Sequence, residues 1–360
     1  MRINYHTLAV LLLIFFTATA ATASRAPLKS VAASPYASAV VLDADSGEIL
    51  FSRNADLTVY PASTLKLMVL LVILEQMEKG QLQTDEMVQV TVDAYKMGGS
   101  QVYLDPKEQF PVEDLLYALM IQSANDAAVA LATHVAGTTE EFVAMMNAKA
   151  RELGMTGTRF HSVHGLPPAR GQKVDVTTAR DFAKLCRYLS TKPEVFKYTG
   201  TRVRDFRGGK FIMRTHNHLL NTVEGCDGFK TGYFAKAGFS IAATAKKNDR
   251  RVIAIVMGSK ERKVRDAEAT KLLAKGFALL PAETAAPESI AAPETELSVK
   301  QVPPGANDAS AAKDTVRSGP PSDGWGKFFL GLVIGFLICA GLNFFLFKRQ
   351  SKRKWQTKRI

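Results

Sequence analysis

Apolar and polar positions along the chain repeat with two different periods, and in one long stretch the apolar positions disappear. Ser38 to Arg53 forms two β-rich runs around Asp45-Ser46-Gly47, where Gly sits at the point a turn needs positive φ, so a hairpin is expected. After Pro61 comes the apolar run Leu65 to Leu74, long enough for a buried helix, with the proline tolerated in its first turn. Lys79-Gly80 breaks that helix, Val88 to Val92 reads as a short strand, and Gly98-Gly99-Ser100 reads as a loop. Residues 111–136 are expected to be a second helical region, entered through Pro111 and the acids Glu113 and Asp114. Leu115, Leu116, Leu119 and Met120 supply its apolar face, and Ser123-Ala124-Asn125-Asp126 precedes a helix over 127–135. Further helices are expected over Glu140 to Leu153 and, capped by Thr177 or Thr178, through Leu189.

From residue 197 the period changes to that of strands. Tyr198 to Phe206 and Lys210 to Thr215 flank Arg207-Gly208-Gly209 as one hairpin. Gly238 to Ala245 and Arg251 to Met257 make another, and Val264 to Leu280 is a final helix with a 3.6-residue apolar period. Helices inserted between an N-terminal hairpin and C-terminal strands predict one antiparallel sheet covered by helices.

The ends of the chain read differently. Residues 1–23 carry Arg2, an apolar core from Leu8 to Phe16 and the small residues Ala21-Thr22-Ala23, the pattern of a cleaved export signal. Residues 282–325 are Ala, Pro, Glu and Ser with few large apolar side chains, and are expected to be a disordered linker. Residues 326–347, uncharged from Phe328 to Phe347, match a transmembrane helix, and the basic tail at 348–360 places the C-terminus in the cytoplasm. The folded domain at 24–281 would then sit on the outer face of a bacterial plasma membrane.

Composition changes little in this picture. The net charge of +12 suggests nucleic acid until it is located. Seven of those charges lie in the last thirteen residues, beside the span and without any nucleic-acid-binding motif, so no nucleic-acid partner is expected. Of three cysteines, Cys339 lies in the span, and Cys186 and Cys226 are expected to be free and buried. His161, His164, His216 and His218 come with no His-Glu-x-x-His or cysteine pattern, so neither a metal nor another cofactor is called for.

Ser63-Thr64-Leu65-Lys66 puts a hydroxyl and an amine one helical turn apart, and a serine becomes a nucleophile only with a base in reach. The spacing alone is weak, because Ser310 with Lys313 and Ser351 with Lys354 share it, and a bare helix cap is the alternative for Ser63. What distinguishes Ser63 and Lys66 is that Ser123-x-Asn125 follows an apolar helix and Lys230-Thr231-Gly232 precedes a strand-rich segment. Lys66, desolvated beside other cations, would lose enough basicity to take the Ser63 proton, and Ser123 would relay it. Asn125 would bind the substrate's amide backbone, Lys230 would add positive potential, Thr231 would meet a carboxylate, and Gly232 would let backbone and ligand approach. Arg262 and the basic strands at 197–214 read as solvated faces.

With these motifs, residues 36–280 resemble the serine-type D-alanyl-D-alanine carboxypeptidases, low-molecular-mass penicillin-binding proteins related to β-lactamases. The likeness extends to Ser123-Ala124-Asn125-Asp126-Ala127-Ala128, Phe160-His161-Ser162-Val163-His164-Gly165-Leu166 and Asp227-Gly228-Phe229-Lys230-Thr231-Gly232-Tyr233. It implies an α+β fold, a five-stranded antiparallel sheet flanked by helices with an α-helical subdomain. It also implies an oxyanion hole from the backbone N–H groups of Ser63 and Tyr233, peptidoglycan D-Ala-D-Ala stem peptides as substrates, and covalent capture by β-lactam antibiotics. A D,D-endopeptidase, a β-lactamase and a non-catalytic wall-binding scaffold are the alternatives. Many family members carry a second β-rich domain before an amphipathic anchor, whereas here linker and an apolar span are expected after Leu280.

Overall fold

The structure, a computed structural model, describes residues 28–281. The expected signal at 1–23, linker at 282–325, span at 326–347 and tail at 348–360 lie outside the described residues. Among the described residues no helix is long and apolar enough to cross a membrane.

The strands are β1 (Ser38–Asp43), β2 (Ile49–Arg53), β3 (Met87–Gln89), β4 (Gln109–Pro111), β5 (Val203–Phe206), β6 (Phe211–Arg214), β7 (Cys226–Phe234), β8 (Gly238–Lys247) and β9 (Arg250–Ser259). The helices are α1 (Lys66–Glu78), α2 (Val92–Tyr95), α3 (Val112–Tyr117), α4 (Asn125–Ala136), α5 (Thr139–Glu152), α6 (Ala179–Ser190), α7 (Glu194–Thr199), α8 (Leu219–Thr222) and α9 (Arg262–Leu279). Five strands form one antiparallel sheet in the order β2-β1-β9-β8-β7, and β3-β4 and β5-β6 are separate two-stranded ribbons.

Period-two alternation sorts the sheet's side chains between two cores. Val40, Leu42, Ala242, Ile253, Ile255 and Met257 face the helical lobe. Their sequence neighbours Ala39, Val41, Ile241, Ala243, Val252, Ala254 and Val256 face α9, which returns Ala269, Leu272 and Leu273. Because both faces are covered, β1 and almost all of β9 are buried, and the N-terminal hairpin contributes a central strand rather than a solvated ribbon. Its turn is held by the Asp43 carboxylate, which accepts from Asp45 N and Ser46 Oγ at 3.0 Å each, with Gly47 at φ +79°. The β8–β9 turn places Asn248 and Asp249 at φ +46° and +58°, the pairing that a tight hairpin prefers.

α1 is buried all round from Lys66 to Glu75, so it is the central helix of the lobe and not an amphipathic cover. α6 begins where expected, with Thr178 accepting from Asp181 N. Some expectations are corrected. Tyr198 does not begin a strand: Pro193 and Glu194 open helix α7, Tyr198 is buried in it against Tyr117, and the strand starts at Val203. β3 pairs with β4, whose partner role was masked by the proline that ends it. Asn217 Oδ1 accepts from Leu219 N and its Nδ2 donates to Gly228 O, tying α8 to β7. Both cysteines among the described residues are free, Cys186 buried and Cys226 half-buried.

Candidate active site

Ser63 stands in a 3-10 turn, Ala62–Leu65, that leads into α1. Its side chain caps neither that turn nor α1, so the bland role of a helix cap is not realised. Two glycines from remote segments press on this turn. A Cβ on Gly165 would lie 2.2 Å from Ala62 O, and one on Gly232 would lie 2.8 Å from Pro61 O and Thr64 N and 3.0 Å from Ser63 N. Only a bare backbone fits at either place, so β7 and the 161–166 loop clamp the turn, while Ala62 is held at φ +48°.

Lys66 opens α1 fully buried. Its Nζ lies 2.7 Å from Asn125 Oδ1, 2.9 Å from His164 O and 3.2 Å from Ser63 Oγ. The two carbonyl oxygens can only accept, so they take two N–H bonds. In a neutral amine the remaining lone pair then faces the serine hydroxyl. Burial pushes the Lys66 amine well below its ordinary range; Lys230 adds to the shift, and Asp126 and Asp175 oppose it. Burial, with Lys66 beside it, also holds His164 near 4, which keeps that neighbour neutral.

The helical region expected over 111–136, with a separate helix after Asp126, is three pieces. α3 passes into a π-helical segment, Ala118–Gln122, which ends on Ser123 in the left-handed region at φ +59°. That reversal ends the helix before α4 begins and delivers buried Ser123 to the cleft. Ser123 Oγ has no hydrogen-bonding partner among the described residues. Asn125, first residue of α4, donates from Nδ2 to Gly98 O at 2.7 Å while holding Lys66 with Oδ1. Much of its amide is therefore spent on placing the lysine. Its backbone N–H bonds Ser100 O at 2.8 Å.

Opposite the turn runs β7, in register Lys230↔Ala242, Thr231↔Ile241 and Gly232↔Ser240. Lys230 is buried, and burial followed by the Arg265 charge pushes it down to about 7. Tyr233 is exposed and stacks on Phe239 with ring centroids 4.0 Å apart.

A cleft of about 310 Å³ joins these parts, lined by Ser63, Ser100, Ser123, Thr231, Gly232 and Tyr233. Lys66, Asn125 and Lys230 lie behind its wall. His216, His218, Phe239, Arg262 and Arg265 also line it. Their sequence signal was slight, because no short motif ties them to Ser63. Arg262, read as a solvated face, is exposed yet belongs to the cleft rim. Arg265 is buried, with Nε bonded to Asp266 at 2.8 Å. His216 is held near 4 by desolvation and then by Lys230, His218, Lys66 and Arg265. A larger hollow of about 1030 Å³, lined in part by Leu42, Ala44, Arg180, Arg187 and Arg251, contains none of the candidate residues. Those three arginines are already engaged, by Asp56, by the Ala44 and Asp45 carbonyls and by Asp227.

A helix-flanked five-stranded antiparallel sheet with a serine–lysine pair at its edge defines the penicillin-binding-protein class of α+β folds. Penicillin-binding protein D2 of Listeria monocytogenes, solved with ampicillin bound, matches with a TM-score of 0.62 and 32% identity, over 68% of this chain and 97% of that one. The family model described as D-alanyl-D-alanine carboxypeptidase matches residues 20–261, and the chain belongs to that family. It is 37% identical over 243 residues to the D-alanyl-D-alanine carboxypeptidase DacF of Bacillus subtilis, covering 67% of this chain and 61% of the relative. It is 39% identical over 246 residues to DacC of Escherichia coli, covering 66% of this chain and 60% of the relative. The chain thus spans about three fifths of the length of these curated relatives.

Proposed function

We propose that the protein is a serine D-alanyl-D-alanine carboxypeptidase, which removes the terminal D-Ala from peptidoglycan stem peptides through an acyl-enzyme on Ser63. The observation that carries this reading is the buried Lys66 amine, 3.2 Å from Ser63 Oγ with two carbonyl acceptors on its other side. As Ser63 Oγ bonds to the substrate carbonyl carbon, its proton passes to Lys66. The backbone N–H groups of Ser63 and Tyr233 stabilise the oxyanion; one such donor contributes on the order of 3 kcal/mol. The C–N bond then breaks, and the proton reaches the departing D-Ala amine by way of Ser123. Water cleaves the ester, releasing the shortened peptide and restoring Ser63. Thr231 and the positive potential of Lys230 receive the terminal carboxylate. Asn125 positions Lys66 and has one amide hydrogen left for the substrate.

The same nucleophile would be acylated by β-lactams. We further infer that the protein is exported by residues 1–23, tethered by a span at 326–347 and works on the outer face of the plasma membrane. Fractionation with and without residues 326–360 tests the tether: a truncated chain that stays with the membrane would refute it.

A fluorescent penicillin tests the nucleophile. The wild type is expected to label and Ser63→Ala is not; a labelled Ser63→Ala protein removes the assignment. Incubation with muropeptides tests the reaction: free D-Ala with cross-links intact is expected, loss of cross-links indicates an endopeptidase, and absence of any acylation indicates a scaffold.

A further inference from the structure

Tyr103 is the least expected side chain on the surface. It is 70% exposed, and its backbone lies at φ +58°, a region that bulky residues avoid. The backbone on either side is fixed. Val102 N and Leu104 N both donate to the Asp126 carboxylate at 3.1 Å. The Arg207 guanidinium, itself paired with Glu108, donates to Val102 O at 2.5 Å and Tyr103 O at 2.7 Å. With its neighbours turned inward, the ring of Tyr103 is forced outward. There it meets Phe211 edge to face, with centroids 6.2 Å apart.

Neither ring lines the cleft itself, but each sits on a segment that runs on to residues lining it. Tyr103 lies three residues beyond Ser100, at most about 10 Å along an extended chain, and Ser100 lines the cleft. Phe211 begins β6, whose continuation supplies the cleft residues His216 and His218. The ring pair therefore links these two segments just beyond the residues that line the cleft.

We propose that Tyr103, braced by Phe211, is a binding subsite for the stem peptide upstream of the scissile bond. This rests on the carboxypeptidase reading. The released D-Ala is the substrate's terminus, so only the acyl side extends out of the cleft. A peptide rising at about 3.4 Å per residue covers the span from Ser100 to Tyr103, at most about 10 Å, in about three residues. The aliphatic part of a stem residue at that distance meets the ring face. Asp126 and Arg207 act as positioning residues that hold the backbone of Tyr103.

The test compares kcat/KM of the full chain on N-acetyl-D-Ala-D-Ala and on a pentapeptide ending in D-Ala-D-Ala. Tyr103→Gly removes the ring and suits the positive φ. It is expected to lower kcat/KM on the pentapeptide about three- to tenfold, the scale of one aromatic contact, and to leave the dipeptide within about twofold. Tyr103→Phe keeps the ring face and is expected to behave as wild type on both. An equal loss on both substrates, or no loss on the pentapeptide, overturns the subsite while leaving the carboxypeptidase reading intact. A wild type that releases no D-Ala from either substrate overturns that reading and the subsite with it.

Discussion

Replacing Asn125 by Asp changes one atom type and tests how the nucleophile is activated. Asn125 Oδ1 is a neutral acceptor 2.7 Å from Lys66 Nζ. In its place Asp puts a full negative charge against the amine. At an effective dielectric near 20, two unit charges 2.7 Å apart attract by about 6 kcal/mol. Burying the new carboxylate cancels part of this, and a residue of about 3 kcal/mol still favours the protonated lysine by more than a hundredfold. The acid limb of Ser63 acylation is then expected to move to higher pH by about two units, with the rate at pH 7 falling about a hundredfold. Asn125→Ala leaves an amine hydrogen without its acceptor, at a cost of about 1–3 kcal/mol, or about five- to 150-fold. It supplies no charge, so it should slow acylation without the same displacement in pH. The assay is the rate of fluorescent-penicillin labelling from pH 6 to 10 for the three proteins. If Asn125→Asp keeps the wild-type midpoint, the view that a neutral Lys66 is the base is wrong.

Gly232→Ala tests the clamp on the Ser63 turn. Its Cβ would lie 2.8 Å from Pro61 O and Thr64 N, all backbone that can yield only by moving the turn. Acylation is expected to fall at least tenfold, with about 1–3 kcal/mol lost from stability; wild-type labelling would sink the idea. Lys230→Met tests the cost of burying a cation. The folded lysine is pushed down to about 7 while the unfolded chain keeps a value near 10.5, so between those pH values the unfolded state binds more protons. The penalty is therefore full below about pH 7 and fades towards pH 10.5. The Met variant is expected to melt a few degrees higher near neutral pH, from about 1–3 kcal/mol, with its advantage shrinking by pH 10 and substrate turnover lost. A lower Tm at pH 7 would show that Lys230 stabilises the fold.

Much of the sheet was legible because its alternation is local. Val40 and Leu42 against Ala39 and Val41 name two faces before any partner is known, and Gly47 names the turn. The three short motifs were legible for the same reason. What escaped depends on contacts between distant segments. Ser123 was legible as a motif residue, but its left-handed backbone follows from a π-helical segment that no periodicity announces. Tyr198 has strand-like chemistry but is taken by a helix because it packs on Tyr117. His216 and Arg265 reach the cleft from separate elements, β6's continuation and α9, and nothing in their spacing points to Ser63. Asn125 was assigned to the substrate because spacing cannot tell which partner its amide meets. Its contact with Lys66 emerges only when α4 and α1 lie side by side.

The site keeps its acids out of the cleft. No Asp or Glu is among the residues lining it. The acids that act on Lys66 from nearby are bound to backbone: Asp126 to Val102, Leu104 and Ala127, and Asp175 to His161, Ser162 and the Ser162 hydroxyl. Each carboxylate thus fixes a loop while raising the Lys66 pKa without touching the amine. Desolvation and Lys230 outweigh them, so location rather than an ion pair lowers the Lys66 amine, as its proposed role of base requires. On the carboxypeptidase reading this bears on ester hydrolysis. His216, near 4, is a weak base, and water must rely on Lys66 after its proton has left with the amine. Departure of D-Ala clears space for that water. A β-lactam's opened ring stays attached to its acyl group and occupies the same space. One arrangement therefore favours turnover of the peptide and persistence of the drug adduct, which separates a carboxypeptidase from a β-lactamase. Deacylation of a penicillin adduct at a rate comparable to D-Ala release would contradict it.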